Sequence, residues 1–148
     1  MQKHLVSDVY KRQVLVGQGG ELGNAQDELR AFIEKADMPC GCTLLGLSAI
    51  PTSHPLNKGM LGMHGNLGPN VKTNECDVLI AVGMRFDDRV TGKLDTYAKQ
   101  AKVIHLDIDH SEIDNNVKVD VPVLGNCKYT LAMLTQLIRK NEHSERCV

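Results

Sequence analysis

One uninterrupted apolar run, followed at once by a glycine, constrains the fold more than any other feature of this sequence. Residues 77–82 read Asp-Val-Leu-Ile-Ala-Val, and Gly83 comes next. A continuous aliphatic run without polar alternation is typical of a strand buried on both faces of a parallel sheet. Since parallel sheets bind ligands at the carboxyl ends of their strands, the residues after this run are expected at a binding edge.

The rest of the chain alternates short apolar segments with helical patterns. Further strands are predicted over residues 14–16, 38–47, 102–109 and 117–124, and helices over residues 24–35, 66–75, 92–100 and after Asn126. Strands that alternate with helices favour an α/β fold, here a doubly wound parallel sheet of five to six strands with helices on both faces. Pro122 cannot donate to a strand ladder, so the last strand is expected near an edge.

Two asparagines stand where helix N-caps are expected. Asn24 precedes the predicted helix over residues 24–35, and Asn126 precedes the closing helix. A side-chain oxygen at the N-cap accepts a hydrogen bond from a free backbone N–H of the first helical turn. Both asparagines are therefore predicted to cap their helices.

The sequence predicts one domain between two short terminal segments. Residues 1–13 lack periodicity and are predicted to be a leader foreign to the fold, residues 14–139 form the domain, and residues 140–148 are a polar tail. Residues 1–13 contain no apolar run of a secretory signal. Glycines and prolines interrupt residues 38–57, the longest uncharged stretch, so no membrane span is predicted.

Composition argues against nucleic-acid and membrane partners. The 17 basic and 18 acidic residues give a net charge of −1, and they form neither a basic stripe nor an acidic tail. The chain has no Trp, three Tyr and two Phe, so few rings could stack on single-stranded bases. The five cysteines are odd in number and scattered, which favours free thiols in a reducing cytoplasm over a disulfide framework. The pair Cys40 and Cys42 lacks the second pair that a zinc site needs.

A glycine-rich turn follows the first predicted strand. Gly17 and Gly19 occupy the first two positions of a dinucleotide-binding fingerprint, but Leu22 stands at the third. A strand, a glycine turn and a helix can cradle a phosphate. An ordinary strand-to-helix turn explains the same residues, and the sequence leaves both interpretations open.

Charged side chains cluster directly after the buried run. Arg85 and Arg89 lie four residues apart around Asp87 and Asp88. These residues could pair with one another as a surface ion cluster of small energetic consequence. Alternatively, a guanidinium group at a strand end could bind a phosphate or a flat polar ring, and the position after the strand favours binding.

Two further residues are candidates for ligand contact. Asp107 ends a predicted strand, where a carboxylate suits the hydroxyl donors of a ribose. It could equally be a helix N-cap or an ordinary loop aspartate. His64 lies in a glycine-punctuated loop beside Met60 and Met63, and could carry a proton, contact a ligand or be an ordinary loop histidine. The two methionines could line an apolar pocket or fill a gap in the core.

These residues point to a nucleotide-like binding domain without identifiable catalytic machinery. The sequence contains no GxSxG nucleophile elbow, no Walker lysine motif and no HExxH zinc motif.

Three segments carry a resemblance to a known family. Residues 60–65, residues 83–93 and residues 105–109 with Glu112 and Ile113 closely resemble the central domain of the acetolactate synthases, which are catalytic subunits among the thiamine diphosphate enzymes. The match runs from about residue 14 to residue 137, and the segment 83–93 is the most specific part of it. The resemblance implies a six-stranded parallel domain of the DHS-like NAD/FAD-binding type, which binds FAD in an extended pose with a mainly structural role.

The resemblance also implies which residues contact the flavin. The expected FAD contacts are Gly19, Thr43, Leu44, Leu61, Gly62, Met63, His64, Gly83, Met84, Arg85, Phe86, Asp87, Asp107, Ile108 and Asn126. Asp88 and Arg89 match positions that line the channel to the active site. At the last contact the family has Asp-Val after a glycine, whereas this chain has Asn126 and Cys127, so a carboxylate is missing there.

The family's reaction condenses two pyruvates, or pyruvate and 2-oxobutyrate, with release of CO2 in branched-chain amino-acid biosynthesis. Thiamine diphosphate and Mg2+ carry that chemistry in the full-length enzyme, on N-terminal and C-terminal domains whose activating glutamate and Gly-Asp-Gly motif this sequence lacks. The chain is therefore expected to be an inactive fragment of a cytoplasmic homo-oligomer, dimer or tetramer, with a possible small regulatory subunit. The alternatives are a stand-alone nucleotide-binding module and a sibling thiamine diphosphate 2-oxo acid decarboxylase, which the segment 83–93 disfavours.

Overall fold

Six parallel strands form the sheet that organises residues 11–140, the part of the chain that the computed structural model describes. The strand order is β3-β2-β1-β4-β5-β6, and every neighbouring pair is parallel. The strands are β1 (Arg12–Val16), β2 (Cys40–Cys42), β3 (Asn57–Met60), β4 (Val78–Val82), β5 (Lys102–Asp107) and β6 (Val121–Leu124). The order reverses between β1 and β4, which makes the carboxyl ends of these two strands the topological switch point where such sheets bind ligands.

Within residues 11–140, four α-helices lie between strands and a fifth follows the last strand. They are α1 (Gln18–Leu22), α2 (Gln26–Ala36), α3 (Leu67–Glu75), α4 (Asp88–Thr91) and α5 (Cys127–Leu137). Short 3-10 turns add Leu44–Ala49, Leu94–Thr96 and His110–Glu112. Within residues 11–140, no helix is long and apolar enough to cross a membrane. The predicted doubly wound α/β class is confirmed, with six strands.

The central strands are buried on both faces, as the continuous apolar run predicted. Alternate residues of β4 point to opposite sides of the sheet. Ile80 and Val82 join the core formed with α2 and α5, whereas Leu79 and Ala81 join a second core that contains Phe86. Packing in the two cores holds the carboxyl end of β4 from both faces of the sheet. It thereby also positions the residues that follow β4.

The predicted boundary of the leader is wrong at its carboxyl end. Arg12 and Gln13 belong to β1, where they pair in register with Val78 and Leu79 of β4. Backbone hydrogen bonds to β4 extend β1 two residues before its apolar run. Polar residues can take part in this pairing because the backbone, not the side chains, makes the hydrogen bonds. The predicted leader residues 1–10 and the predicted tail residues 141–148 lie outside the described part of the chain.

Three local predictions about the helices have different outcomes. Asn126 caps α5, since its Oδ1 accepts a hydrogen bond from the Lys128 N–H at 2.9 Å. Asn24 does not cap α2: it adopts a left-handed φ of 51°, and Ala25 is the N-cap, without a side-chain bond. The predicted helix over residues 92–100 is wrong, because Gly92 and Ala98 have φ values of 59° and 41° that interrupt helical geometry.

The edges of the sheet also differ in how well they were predicted. β6, which contains Pro122, is an edge strand as expected. The strand β3 at the opposite edge was not predicted. Residues 45–58 were predicted as a loop, and this prediction is wrong where β3 begins. Its sequence Asn-Lys-Gly-Met is only partly buried and carries no apolar alternation, so no sequence pattern marks it as a strand.

Candidate functional site at the carboxyl edge of the sheet

A cleft of about 790 Å³ opens at the carboxyl ends of β1, β2, β4 and β5. This volume lies within the range of roughly 300–1,000 Å³ that is usual for small-molecule sites. All the predicted cofactor contacts except Gly62 line the cleft: Gly19, Thr43, Leu44, Leu61, Met63, His64, Gly83, Met84, Arg85, Phe86, Asp87, Asp107, Ile108 and Asn126. Of the two predicted channel residues, Arg89 lines the cleft and Asp88 does not.

Three glycines let the backbone form the floor of the cleft. A Cβ on Gly17 would lie 2.3 Å from the Gly83 carbonyl oxygen, and a Cβ on Gly19 would lie 2.6 Å from the Gly83 Cα. The Gly19 N–H donates to the Gly83 carbonyl at 3.0 Å. Contact between the β1–α1 turn and the end of β4 therefore requires these glycines, so the ordinary-turn interpretation accounts for them without a bound phosphate.

The turn after β4 presents one charged residue between two buried ones. Met84 and Phe86 are buried in the second core, whereas the Arg85 side chain is 68% exposed. Its Nη2 lies 3.7 Å from Asp87 Oδ2, a long and exposed pair of small energetic value. Asp87 is instead the N-cap of α4, accepting from the Val90 N–H at 3.2 Å. Arg85 thus keeps most of its donors for a ligand.

Asp107 supplies a buried carboxylate at the end of β5. The residue is 7% exposed, and its Oδ1 accepts from the Asp109 N–H at 2.9 Å. The N-cap of the 3-10 turn that follows is Asp109, whose Oδ1 accepts from the Ser111 N–H. The Ser111 hydroxyl also donates to this oxygen, and the hydroxyl bond, followed by the N–H bond, lowers the pKa of Asp109 below its usual value. Asp107 is therefore not the N-cap of that turn, although it accepts a local backbone hydrogen bond as a loop aspartate can, and the residue lines the cleft.

The loop after β3 closes the opposite side of the cleft. Gly62, at φ 99°, is held by Asn70, whose Oδ1 accepts its N–H and whose Nδ2 donates to its carbonyl, both at 2.9 Å. This two-bond clamp engages both polar groups of the Gly62 backbone, and Gly62 does not line the cleft, although it was predicted to contact the flavin. The Met63 N–H donates to the Arg89 carbonyl at 2.7 Å, which ties the loop to α4. His64 is exposed at the mouth.

Part of the cleft wall was not predicted from the sequence. The additional lining residues include Gln18, Leu22, Leu45, Val90, Asp109, Glu112 and Cys127. The strand-end rule could have identified Asp109 and Glu112, which follow β5 closely. No pattern marked the exposed Leu22 and Leu45, because single exposed leucines are ordinary in soluble proteins.

The cleft carries unlike charges at its two sides. Arg85 and Arg89 follow β4 together with one carboxylate, Asp87, whereas Asp107 ends β5 and is followed by Asp109 and Glu112. Such a surface can accept an elongated ligand that presents anionic groups to the arginines and hydroxyl or amine donors to the carboxylates. Among residues 11–140, no group of three or more His, Cys, Asp or Glu side chains is placed to hold a metal ion.

Comparison with known proteins places the chain in a family. The family described as thiamine pyrophosphate enzyme, central domain, matches residues 5–134. The chain is 45% identical over 133 residues to the acetolactate synthase large subunit of Parasynechococcus marenigrum, covering 90% of this chain and 22% of that protein. It is 43% identical over 127 residues to the probable acetolactate synthase large subunit of Methanocaldococcus jannaschii, covering 86% and 22%.

A third relative extends over nearly the whole chain. The chain is 41% identical over 145 residues to the acetolactate synthase isozyme 2 large subunit of Escherichia coli K12, covering 98% of this chain and 26% of that protein. The chain thus spans about a quarter or less of the length of the curated relatives it matches. With its parallel sheet, its switch-point cleft and a family match over most of its length, this chain belongs to the family of thiamine pyrophosphate enzyme central domains.

Proposed function

We propose that this chain is the FAD-binding central domain of an acetolactate synthase large subunit. The observation that carries the proposal is the convergence of Arg85, Asp107 and the glycine floor on one cleft at the switch point of the sheet. The relatives, which are named acetolactate synthases, support the same assignment.

The residues of the cleft fit FAD in kind. The exposed guanidinium of Arg85 can donate to the diphosphate oxygens, and the Asp107 carboxylate can accept from ribose or ribityl hydroxyls. Leu44, Met63 and Ile108 expose apolar surface that a flat ring can cover. The bound flavin would act as a structural element of the enzyme, and these residues would orient it and shield it from water.

The proposal extends to the reaction that the complete protein catalyses. We infer that the complete protein condenses two pyruvates, or pyruvate and 2-oxobutyrate, with release of CO2, and that thiamine diphosphate and Mg2+ bind to domains other than this one. It would act in the cytoplasm as a homo-oligomer, together with a small regulatory subunit. The purified chain is accordingly expected to form no acetolactate from pyruvate, and a measured turnover would contradict this division of labour.

Titration with FAD tests the cofactor assignment. Flavin fluorescence is followed as the chain is added, for the wild type, Arg85→Ala and Arg139→Ala. Arg139 is a matched control, since it is exposed after the carboxyl end of α5 and does not line the cleft. We expect saturable binding that Arg85→Ala weakens about tenfold or more and that Arg139→Ala leaves unchanged. Equal affinity of both variants would remove Arg85 from the site.

Reading the gene on both sides of this segment separates the proposal from a stand-alone nucleotide-binding module. An upstream domain with an activating glutamate and a downstream Gly-Asp-Gly motif are expected. A stop codon directly after residue 148, with a start codon at residue 1 and neither domain encoded nearby, would favour the stand-alone module.

A further inference from the structure

His105 is the most deeply buried polar side chain among the described residues, and it does not line the cleft. It lies within β5, in register with Ala81 of β4 and Pro122 of β6. A polar ring in the core of a sheet costs free energy unless its nitrogens are hydrogen-bonded. The buried ring of His105 is therefore expected to have a hydrogen-bond acceptor or donor within the core.

That partner is the backbone of the turn that presents Arg85. The His105 Nε2 lies 2.7 Å from the Met84 carbonyl oxygen. A carbonyl oxygen can only accept a hydrogen bond, so Nε2 carries the proton and donates a hydrogen bond to the Met84 carbonyl. The same nitrogen lies 3.5 Å from Asp107 Oδ2, so the ring also neighbours a carboxylate that belongs to the cleft. Nδ1 has no hydrogen-bond partner within residues 11–140. The hydrogen bond of the ring to the described residues is therefore made by Nε2.

The ring of His105 also holds the residue on the other side of Arg85. The Phe86 and His105 ring centroids lie 5.1 Å apart, with an angle of 77° between the planes, an edge-to-face contact. Phe86 has a left-handed φ of 54°, which is a strained conformation for a bulky residue and persists only where the surroundings impose it. Burial of its ring between His105 and Tyr97 supplies that constraint.

We infer that His105 is a positioning residue of the ligand site, which fixes the direction of Arg85 by holding Met84 and Phe86 against β5. The inference rests on the proposed function, because FAD is the ligand that Arg85 would receive. His105 itself does not line the cleft. It acts through the turn, with Arg85 as the residue that makes contact.

Two substitutions of equal length isolate the donor. His105→Gln places an amide N–H close to the position of Nε2, whereas His105→Met has the same length and no donor. Each is titrated with FAD alone and in combination with Arg85→Ala, which completes a double-mutant cycle. Ile33→Ala is the control for general destabilisation, since Ile33 is fully buried in the first core and does not line the cleft. If His105→Met does not fold, His105→Asn replaces it, because its shorter amide does not reach Met84.

We expect His105→Met to weaken FAD binding about tenfold and His105→Gln by less than about threefold. In the Arg85→Ala background, His105→Met should weaken FAD binding clearly less than it does alone, because Arg85 is the charged contact that the turn presents to the ligand. Equal effects of the Met and Gln variants, additive effects in the cycle, or an equal loss in Ile33→Ala would each overturn the inference.

Amide hydrogen exchange of residues 84–87 in the FAD-free chain separates this inference from the proposed function. Faster exchange in His105→Met than in His105→Gln supports the role of His105 in holding the turn, and equal exchange overturns it. A wild-type chain that binds no FAD would overturn the proposed function, while the exchange result would still decide whether His105 holds the turn.

Discussion

Gly19 and Gly83 contact each other at the switch point so closely that a Cβ on Gly83 would lie 2.5 Å from the Gly19 Cα. One glycine belongs to α1 and the other directly follows β4. Their contact brings the two central strand ends together and leaves the floor of the cleft without side chains. The architecture of the site therefore depends on the absence of two side chains as much as on Arg85 and Asp107.

Gly83→Ala is expected to destabilise the chain by about 3 kcal/mol. The new methyl group would meet backbone, which cannot move aside as a flexible side chain can, and Gly83 has a φ of 56° that disfavours alanine. Gly68→Ala is the control, because a Cβ at Gly68 meets nothing within 4 Å. Urea unfolding should show a large loss for the first variant and a change of less than about 1 kcal/mol for the second. Equal midpoints would contradict the close contact.

Asn126→Ala is expected to lower the free energy of unfolding by about 1 kcal/mol, the usual effect of losing an N-cap. The bond that disappears joins Asn126 Oδ1 to the Lys128 N–H. Asn126→Asp keeps an acceptor oxygen in place and should retain the stability of the wild type. Thermal unfolding of the three proteins measures the difference, and a loss as large in the aspartate variant would show that capping is not the cause.

Asp107→Asn is expected to weaken FAD binding by about tenfold or more, because it removes the charge from an acceptor of hydroxyl hydrogen bonds. Its stability should change little, since the remaining carbonyl oxygen can still accept from the Asp109 N–H. Asp95→Asn removes the same charge from an exposed position outside the cleft. Isothermal titration should show normal binding for Asp95→Asn, and normal binding for both variants would exclude Asp107 from the site.

Stability is expected to fall at alkaline pH through the buried thiol of Cys76. Burial raises the pKa of Cys76 from 9.0 to about 12. Above pH 9 the unfolded chain loses this proton while the folded chain keeps it, so the stabilising contribution is complete below pH 9 and is lost as the pH rises towards 12. Urea unfolding at pH 7, 9 and 10 should show this decline, with a smaller slope for Cys76→Ala. The same slope in both proteins would assign the decline to other groups.

The parts of the fold that sequence predicted best are those in which burial dictates the residue type. β4 is buried on both faces, so its apolar run and the binding edge after it were readable. β3 was missed because it is a partly exposed edge strand stabilised mainly through its backbone. The helix predicted over residues 92–100 was wrong because Gly92 and Ala98 adopt positive φ values, which local propensity does not reveal.

Some residues of the candidate site were predicted from the sequence and others were not. Arg85 and Asp107 were predicted from their positions at strand ends and from the resemblance, and both line the cleft. Gly62 does not, since its backbone is engaged by Asn70, a contact eight residues away that no motif encodes. The sequence placed His105 in a strand and in the resembling segment 105–109 but did not reveal its partner, because the Met84 carbonyl lies in the turn after β4, 21 residues away.

The most direct test of the FAD site is an NMR titration of the 15N-labelled chain with FAD. We expect the largest amide shift changes at the carboxyl edge of the sheet, on Gly19, Gly83, Arg85, Asp107 and Asn126. The α3 residues 67–75 and the amino ends of the strands should change little. Shift changes centred elsewhere on the chain, or none at saturating FAD, would contradict the proposed FAD site.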